Sequence, residues 1–219
     1  MSGCNLACSY CDTREARDHG DRFLVVQGDG GTIEVPNAVA PGEVARLAES
    51  LWEPGMHSVC ITGGEPLLQA EELAELLPGL KERGIPIYLE TNGTLHEGLE
   101  KIADCLDWIA MDVKLPSSQS GIDLVPEHVR FLASAVRAST NIFFKMVIGR
   151  ETSEEEVSSA CDRLAKGFRG LVLVLQPETA PEGGISIAPE KIAALWRRAR
   201  SSFSDVRVIP QTHHFLGIK

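Results

Sequence analysis

Three cysteines in eight residues, Cys4, Cys8 and Cys11 in the run Cys-Asn-Leu-Ala-Cys-Ser-Tyr-Cys, constrain this chain more than any other feature. The spacing C-x3-C-x2-C puts three thiols on one short loop, too tight for a framework of several disulfides. Three thiolates are one fewer than the four protein ligands that close an iron–sulfur cluster, so a four-iron cluster held here leaves one iron open to a non-protein ligand. Zinc is the competing chemistry. It takes four ligands, often in two C-x2-C pairs, and the fourth would have to come from His19 or His57.

Beyond the cysteine loop the hydrophobic pattern alternates between two periods. Val44, Leu47, Ala48 and Leu51 follow i, i+3, i+4, i+7, as do Leu73, Leu76, Leu77 and Leu80. The same spacing recurs in Val129, Leu132, Ala133 and Val136; in Val157, Ala160, Cys161 and Leu164; and in Ile192, Leu195, Trp196 and Ala199. Each set predicts one apolar stripe on an amphipathic helix, and a shorter helix is expected around 95–103. Between them lie the apolar runs 58–61, 85–89, 108–113, 142–148, 171–175 and 206–209. Apolar strands alternating with helices predict an α/β fold, a partial (β/α) barrel of about six parallel strands with helices outside; a doubly wound open sheet is the alternative. Residues 23–35 read as a small β-hairpin. A chain of 219 residues fits a single domain, 1–219, with 1–40 forming the cysteine loop and the hairpin insertion. Cys60 and Cys161 are expected in the core; Cys105 has no evident role.

In parallel β/α folds the working residues sit at the C-terminal ends of strands. Here those ends carry Thr62-Gly63-Gly64-Glu65-Pro66, Glu90-Thr91-Asn92-Gly93-Thr94, Asp112-Val113-Lys114, Gln176-Pro177-Glu178 and Gln211-Thr212-His213-His214. All would converge on one rim, where the cysteine loop also belongs. The glycine pair allows close backbone approach to a ligand. Glu90 beside Asn92 suits a pair of ribose hydroxyls, and Lys114 suits a ligand carboxylate. A net charge of −10 leaves no basic stripe for nucleic acid, and no apolar run approaches a membrane span. Free cysteines without a signal peptide fit a cytoplasmic location.

The C-x3-C-x-aromatic-C loop, with Tyr10 as the aromatic, resembles the signature of the radical S-adenosylmethionine superfamily, and Thr-Gly-Gly-Glu-Pro resembles its second motif. Within it, 2–6, Cys-Asp-Thr (11–13), 62–68, Glu-Thr-Asn-Gly-Thr (90–94) and Gln-Thr-His-His-Phe-Leu-Gly (211–217) are together similar to the 7-carboxy-7-deazaguanine synthase family. The resemblance runs from end to end. It implies a 4Fe–4S cluster on Cys4, Cys8 and Cys11 whose open iron chelates the amine and carboxylate of S-adenosylmethionine. It puts Tyr10 near the adenine, Gly63, Gly64 and Glu65 at the methionyl amine, and Lys114 with Ser117 at the methionyl carboxylate. Glu90 and Asn92 would contact ribose or substrate, and Gln176 would contact the cofactor. Reductive cleavage yields a 5′-deoxyadenosyl radical; in this family 6-carboxytetrahydropterin then contracts to 7-carboxy-7-deazaguanine with loss of ammonia, toward queuosine and related deazapurines. The family further implies Mg²⁺ on Thr13, substrate contacts from Thr62, His213 and the carboxylate of Lys219, a flavodoxin- or ferredoxin-type electron donor, and a homodimer.

Two departures matter. The family carries a strand, a glycine-rich turn and an arginine ahead of the first cysteine, whereas Met1 stands three residues before Cys4. The expectation is therefore a sheet lacking its first strand and a true start upstream of Met1. The stretch after Cys-Asp-Thr is also less aromatic than in the family. Two rival functions follow: another radical enzyme, such as an activase of a glycyl radical enzyme, and a truncated, non-catalytic iron–sulfur protein.

Overall fold

Six parallel strands, each beside the next in chain order, form the sheet of the computed structural model, β3-β4-β5-β6-β7-β8. The described residues are 1–18, 20–27, 30–137, 140–180 and 183–212. The strands are β3 (Val59–Ile61), β4 (Ile87–Thr91), β5 (Trp108–Asp112), β6 (Asn141–Ile148), β7 (Val172–Pro177) and β8 (Val206–Val208). A doubly wound sheet would reverse direction at a switch point; this order does not, and it makes a partial barrel. Before it, β1 (Arg22–Val26) and β2 (Thr32–Pro36) pair antiparallel as the expected hairpin. Among the described residues β3 pairs only with β4, so it is an edge strand.

The helices are α1 (Pro41–Ser50), α2 (Ala70–Glu82), α3 (His96–Ile102), α4 (Val125–Arg137), α5 (Glu154–Phe168) and α6 (Pro189–Ser202). They pack on one face of the sheet. On α2, Leu73, Leu76, Leu77 and Leu80 are buried, each worth roughly 1.5–3 kcal/mol in area removed from water. They join Ile61, Ile87, Leu89 and Ile109 in one core. Among the described residues no helix is long and apolar enough to cross a membrane.

Three readings of side-chain placement need correction. On α4 the buried residues are Val125, His128, Phe131, Leu132, Ser134 and Ala135, while Val129 and Val136 are 36% and 51% exposed. The stripe is rotated from the expected one because Phe131 and Val125, not the valines at 129 and 136, meet the sheet. Trp196 on α6 is 38% exposed and donates its Nε1–H to Val206 O (3.0 Å). Cys60 is exposed, not core. Strand alternation turns Ile61 toward the helices and Cys60 to the other face, beside its register partner Tyr88. Cys161 is buried on α5 as expected.

Candidate functional site

The cysteine loop is fastened across the C-terminal ends of three adjacent strands. At β3, Gly64 N–H donates to Met1 O (2.8 Å), Glu65 N–H to Gly3 O (2.7 Å) and Gln69 Nε2 to Ser2 O (2.7 Å). At β4, Asn92 Nδ2 donates to Asn5 Oδ1 (2.8 Å) and Asn5 Nδ2 to Thr94 Oγ1 (2.9 Å). After β5, Ser9 N–H donates to Ser118 O (3.1 Å) and Gln119 Nε2 to Cys8 Sγ (2.9 Å). Hydrogen bonds thus join the loop to the polar segments that follow β3, β4 and β5, three neighbours on the rim expected from the sequence. Gly63, at φ +139, is needed for this approach, since a Cβ there would overlap the Met1 backbone.

Glu65 is fully buried. Its Oε1 accepts from Thr91 Oγ1–H (2.8 Å) and Leu67 N–H (3.1 Å), and its Oε2 from Asn92 N–H (2.8 Å). Burial raises its pKa above the ordinary carboxylate value, and the three donors oppose that rise. The carboxylate is therefore engaged inside the protein, bracketing the ends of β3 and β4.

A row of charges runs from the ends of β4 and β5 to the middle of β6, where Lys145 lies in register with Asp112. Lys114 Nζ bonds Asp112 Oδ2 (2.8 Å) and Tyr10 OH (3.1 Å) and lies 5.1 Å from the Tyr10 ring centre. Lys145 Nζ sits 3.7 Å from Asp112 Oδ2 and 3.6 Å from Glu90 Oε2. Burial alone would raise the Asp112 pKa, but Lys114 and Lys145 hold it below the ordinary value. Burial would likewise lower that of Lys114, yet the Asp112 carboxylate raises it well above the usual lysine value. Burial raises that of Tyr10, which stays a neutral phenol.

His128 joins two of these strand ends from beneath. Lys114 N–H donates to its Nε2 (3.0 Å), so its proton resides on Nδ1, which donates to Gly93 O (3.1 Å). Burial lowers its pKa, in keeping with a neutral ring. Gly93 takes φ +66, and a Cβ there would lie 2.5 Å from Met111 Cγ. His128→Leu would leave a buried N–H and a buried C=O unpaired, and is expected to lower stability by about 2–4 kcal/mol. Urea unfolding of the variant against wild type checks this; a loss below about 1 kcal/mol, the scale of one ordinary hydrogen bond, would contradict it.

The remaining candidates are dispersed. Gln176 is half-buried on β7, opposite Val147 of β6. Thr62 is exposed, and its carbonyl accepts from the Met1 amine (2.8 Å). Ser117 is exposed on the turn after β5, its N–H donating to Glu156 Oε2 (3.0 Å). Thr13 is exposed, with Oγ1 3.9 Å from Cys11 Sγ. His213 and Lys219 lie outside the described residues, as does His19. Between the cysteine loop and the end of β7 opens a cleft of about 350 Å³, lined by Tyr10, Cys11, Arg14, Glu178 and Gln211 among others.

The donor set fits an iron–sulfur cluster. Cys4, Cys8 and Cys11 are free, half-buried thiols on one loop. Hydrogen-bond donors attend them, from Leu6 N–H to Cys4 and from Gln119 to Cys8, as thiolate ligands of a cluster require. Among the described residues no three Cys, His, Asp or Glu side chains come close enough to share a single metal ion. His57 packs against Trp108 (5.7 Å between ring centres), at the start of β5 and away from the rim.

Residues 1–182 match the family described as the Radical SAM superfamily, so the partial barrel and its cysteine loop define a radical S-adenosylmethionine protein. The 7-carboxy-7-deazaguanine synthase of Geobacter sulfurreducens is 40% identical over 221 residues, covering 98% of this chain and 86% of its own. That of Methanopyrus kandleri is 35% identical, with 97% and 82% covered. The chain belongs to the 7-carboxy-7-deazaguanine synthase family. Among solved structures, a radical SAM methyltransferase from Sphaerobacter thermophilus is similar in fold at a TM-score of 0.61 and 18% identity, over 95% of this chain and 63% of that one. SuiB from Streptococcus suis bound to S-adenosylmethionine gives 0.65 at 14% identity, over 95% and 48%. The chain spans less than two thirds of either solved chain, and the likeness is one of fold.

Proposed function

We propose that this chain is a radical S-adenosylmethionine lyase that converts 6-carboxytetrahydropterin to 7-carboxy-7-deazaguanine with loss of ammonia, toward queuosine and related deazapurines. The observation that supports it most is the three-cysteine loop clamped over the ends of β3, β4 and β5 in a chain related end to end to synthases of that name. Cys4, Cys8 and Cys11 would hold a 4Fe–4S cluster, which with S-adenosylmethionine supplies the one-electron cleavage that starts the reaction.

The protein's part is positioning and exclusion. Lys114 spends two N–H groups on Asp112 and Tyr10, and its third is the one we assign to the methionyl carboxylate, with Ser117 nearby in sequence. Tyr10, fixed by that ammonium, would flank the adenine. Gly63, Gly64 and Glu65 would meet the methionyl amine, Glu65 through the acceptor capacity that its three donors leave. Glu90 and Asn92 would take ribose or substrate and Gln176 the cofactor. Thr62, His213 and the Lys219 carboxylate would take substrate, and Thr13 a magnesium ion, a hard cation suited to a hydroxyl oxygen. A flavodoxin- or ferredoxin-type donor, a homodimer and a cytoplasmic location complete the proposal.

The test is anaerobic reconstitution of the chain with iron and sulfide, then incubation with S-adenosylmethionine, reductant and 6-carboxytetrahydropterin. The expected result is 5′-deoxyadenosine together with 7-carboxy-7-deazaguanine. Deoxyadenosine without the deazaguanine would point to a different substrate, and no nucleoside from a loaded cluster would point to a non-catalytic protein.

A further inference from the structure

Building on Cys4, Cys8 and Cys11 as cluster ligands, we propose that Gln119 tunes the cluster: its side-chain amide donates an N–H···S bond to Cys8 and raises the reduction potential. Nothing in the sequence marks this residue. It lies after β5 in a turn, is buried, and its Nε2 stands 2.9 Å from Cys8 Sγ.

The contact belongs to a built platform. Consecutive residues of the two loops pair, Gln119 with Cys8 and Ser118 O with Ser9 N–H (3.1 Å). The platform is tied internally: Ser118 N–H and Oγ–H donate to Leu115 O (3.0 and 2.8 Å), and Gln119 and Gly121 N–H to Pro116 O (3.0 and 2.9 Å). It is tied externally through Ser117 N–H to Glu156 Oε2 (3.0 Å). Glu156 is itself fixed as the reciprocal partner of Ser153 in the capping box that starts α5. Ser120 closes the turn at φ +53, a left-handed conformation that a non-glycine residue adopts only where its surroundings demand it. The amide end is restrained as well, since Gln119 Nε2 also stands 3.5 Å from Ser118 Oγ, itself bound to Leu115 O.

The chemistry favours an uncharged donor here. An amide stabilises negative charge on sulfur without competing as a ligand, whereas a carboxylate would repel it. Of the other two cysteines, Cys4 has a donor from within the loop, Leu6 N–H, and Cys11 has the Thr13 hydroxyl at 3.9 Å. Gln119 reaches Cys8 from outside the loop, across 111 positions of sequence. A reduced cluster carries one more electron than an oxidised one, so a hydrogen bond to a ligand sulfur favours the reduced state and shifts the potential upward.

The test compares reconstituted wild-type chain, Gln119→Leu and Gln119→Glu by iron content and by an EPR-monitored redox titration without S-adenosylmethionine. Gln119→Leu is expected to load its cluster, titrate at a more negative midpoint, and lose one exchangeable-proton coupling in ENDOR spectra after D2O exchange. Gln119→Glu, nearly the same shape, is expected to shift further negative. A wild-type midpoint in a loaded Gln119→Leu overturns the proposal. If that variant does not load, Gln119→Glu decides by the same criterion, and loss of the cluster from both shows that the contact is structural and overturns it. Failure of the wild type to load a cluster would instead overturn the reading of the three cysteines.

Discussion

Glu65→Ala is expected to lower stability by about 3–5 kcal/mol, because it leaves three buried donors without an acceptor, each costing about 1–3 kcal/mol, less than additively. Those donors are Thr91 Oγ1–H, Leu67 N–H and Asn92 N–H, and they belong to the ends of two neighbouring strands and the turn after β3. For a chain of this size the loss corresponds to a fall in Tm on the order of 10 °C. Glu65→Gln keeps the shape but turns an amide N–H toward one of the donors, so it should recover only part of the loss. Thermal and urea unfolding of both variants measure this. An alanine variant within about 1 kcal/mol of wild type would show that the bracket is not what holds these strand ends. The site would suffer beyond stability, because the same Asn92 whose N–H is held by Glu65 uses its side chain to grip Asn5 of the cysteine loop.

Lys114→Met is the second large effect expected, about 3–5 kcal/mol, the scale of breaking one partner out of a buried ion pair. Its acceptor Asp112 would keep only Lys145, at 3.7 Å, as a neighbouring cation, and among the described residues its buried Oδ1 has no hydrogen-bond partner. The pair also carries a pH signature. The native Asp112 pKa lies below its ordinary 3.8, so its stabilisation is complete above that value and is lost as pH falls through the lower native one. The native Lys114 pKa lies above its ordinary 10.5, so its stabilisation is complete below that value and is lost as pH rises through the higher native one. Unfolding free energy measured from pH 2 to 11 should therefore fall at both ends in wild type, with both falls reduced in Lys114→Met. A variant that kept the wild-type profile would show that other groups carry it. Tyr10 loses its hydrogen bond and its cation in the same variant, so affinity for S-adenosylmethionine should fall as well.

The elements themselves were legible in the sequence because backbone periodicity reports burial directly. Every apolar run expected as a strand overlaps one, every i, i+3, i+4, i+7 set falls on a helix apart from Leu51, which caps α1, and the hairpin stands at 22–36. Which way an element faces was less legible. On α4 two apolar stripes share Leu132, and the one running through Val129 and Val136 reads as well as the one running through Val125 and Phe131. Only packing against the sheet chose the latter, and with it drew His128 into the interior. Cys60 shows the same limit on a three-residue strand, where alternation cannot say which face is covered.

The chemistry divides along the same line. Cys4, Cys8 and Cys11 stand out as candidates from spacing alone, because thiols on one short loop are neighbours in sequence as well as in space. The strand-end clusters could be read because parallel β/α architecture puts all C-terminal ends on one rim. What the chain order could not reveal is which polar groups face a ligand and which are consumed holding the rim together. Glu65 sits in the motif that looks most like a ligand contact, yet it also accepts from Thr91, Leu67 and Asn92 and so ties strand ends together. Gln119 and His128 carry no motif and reach Cys8 and Gly93 across 111 and 35 positions. Hydrogen bonds depend on distance and angle between side chains brought together by folding, and sequence spacing encodes those only within a loop or along a single element.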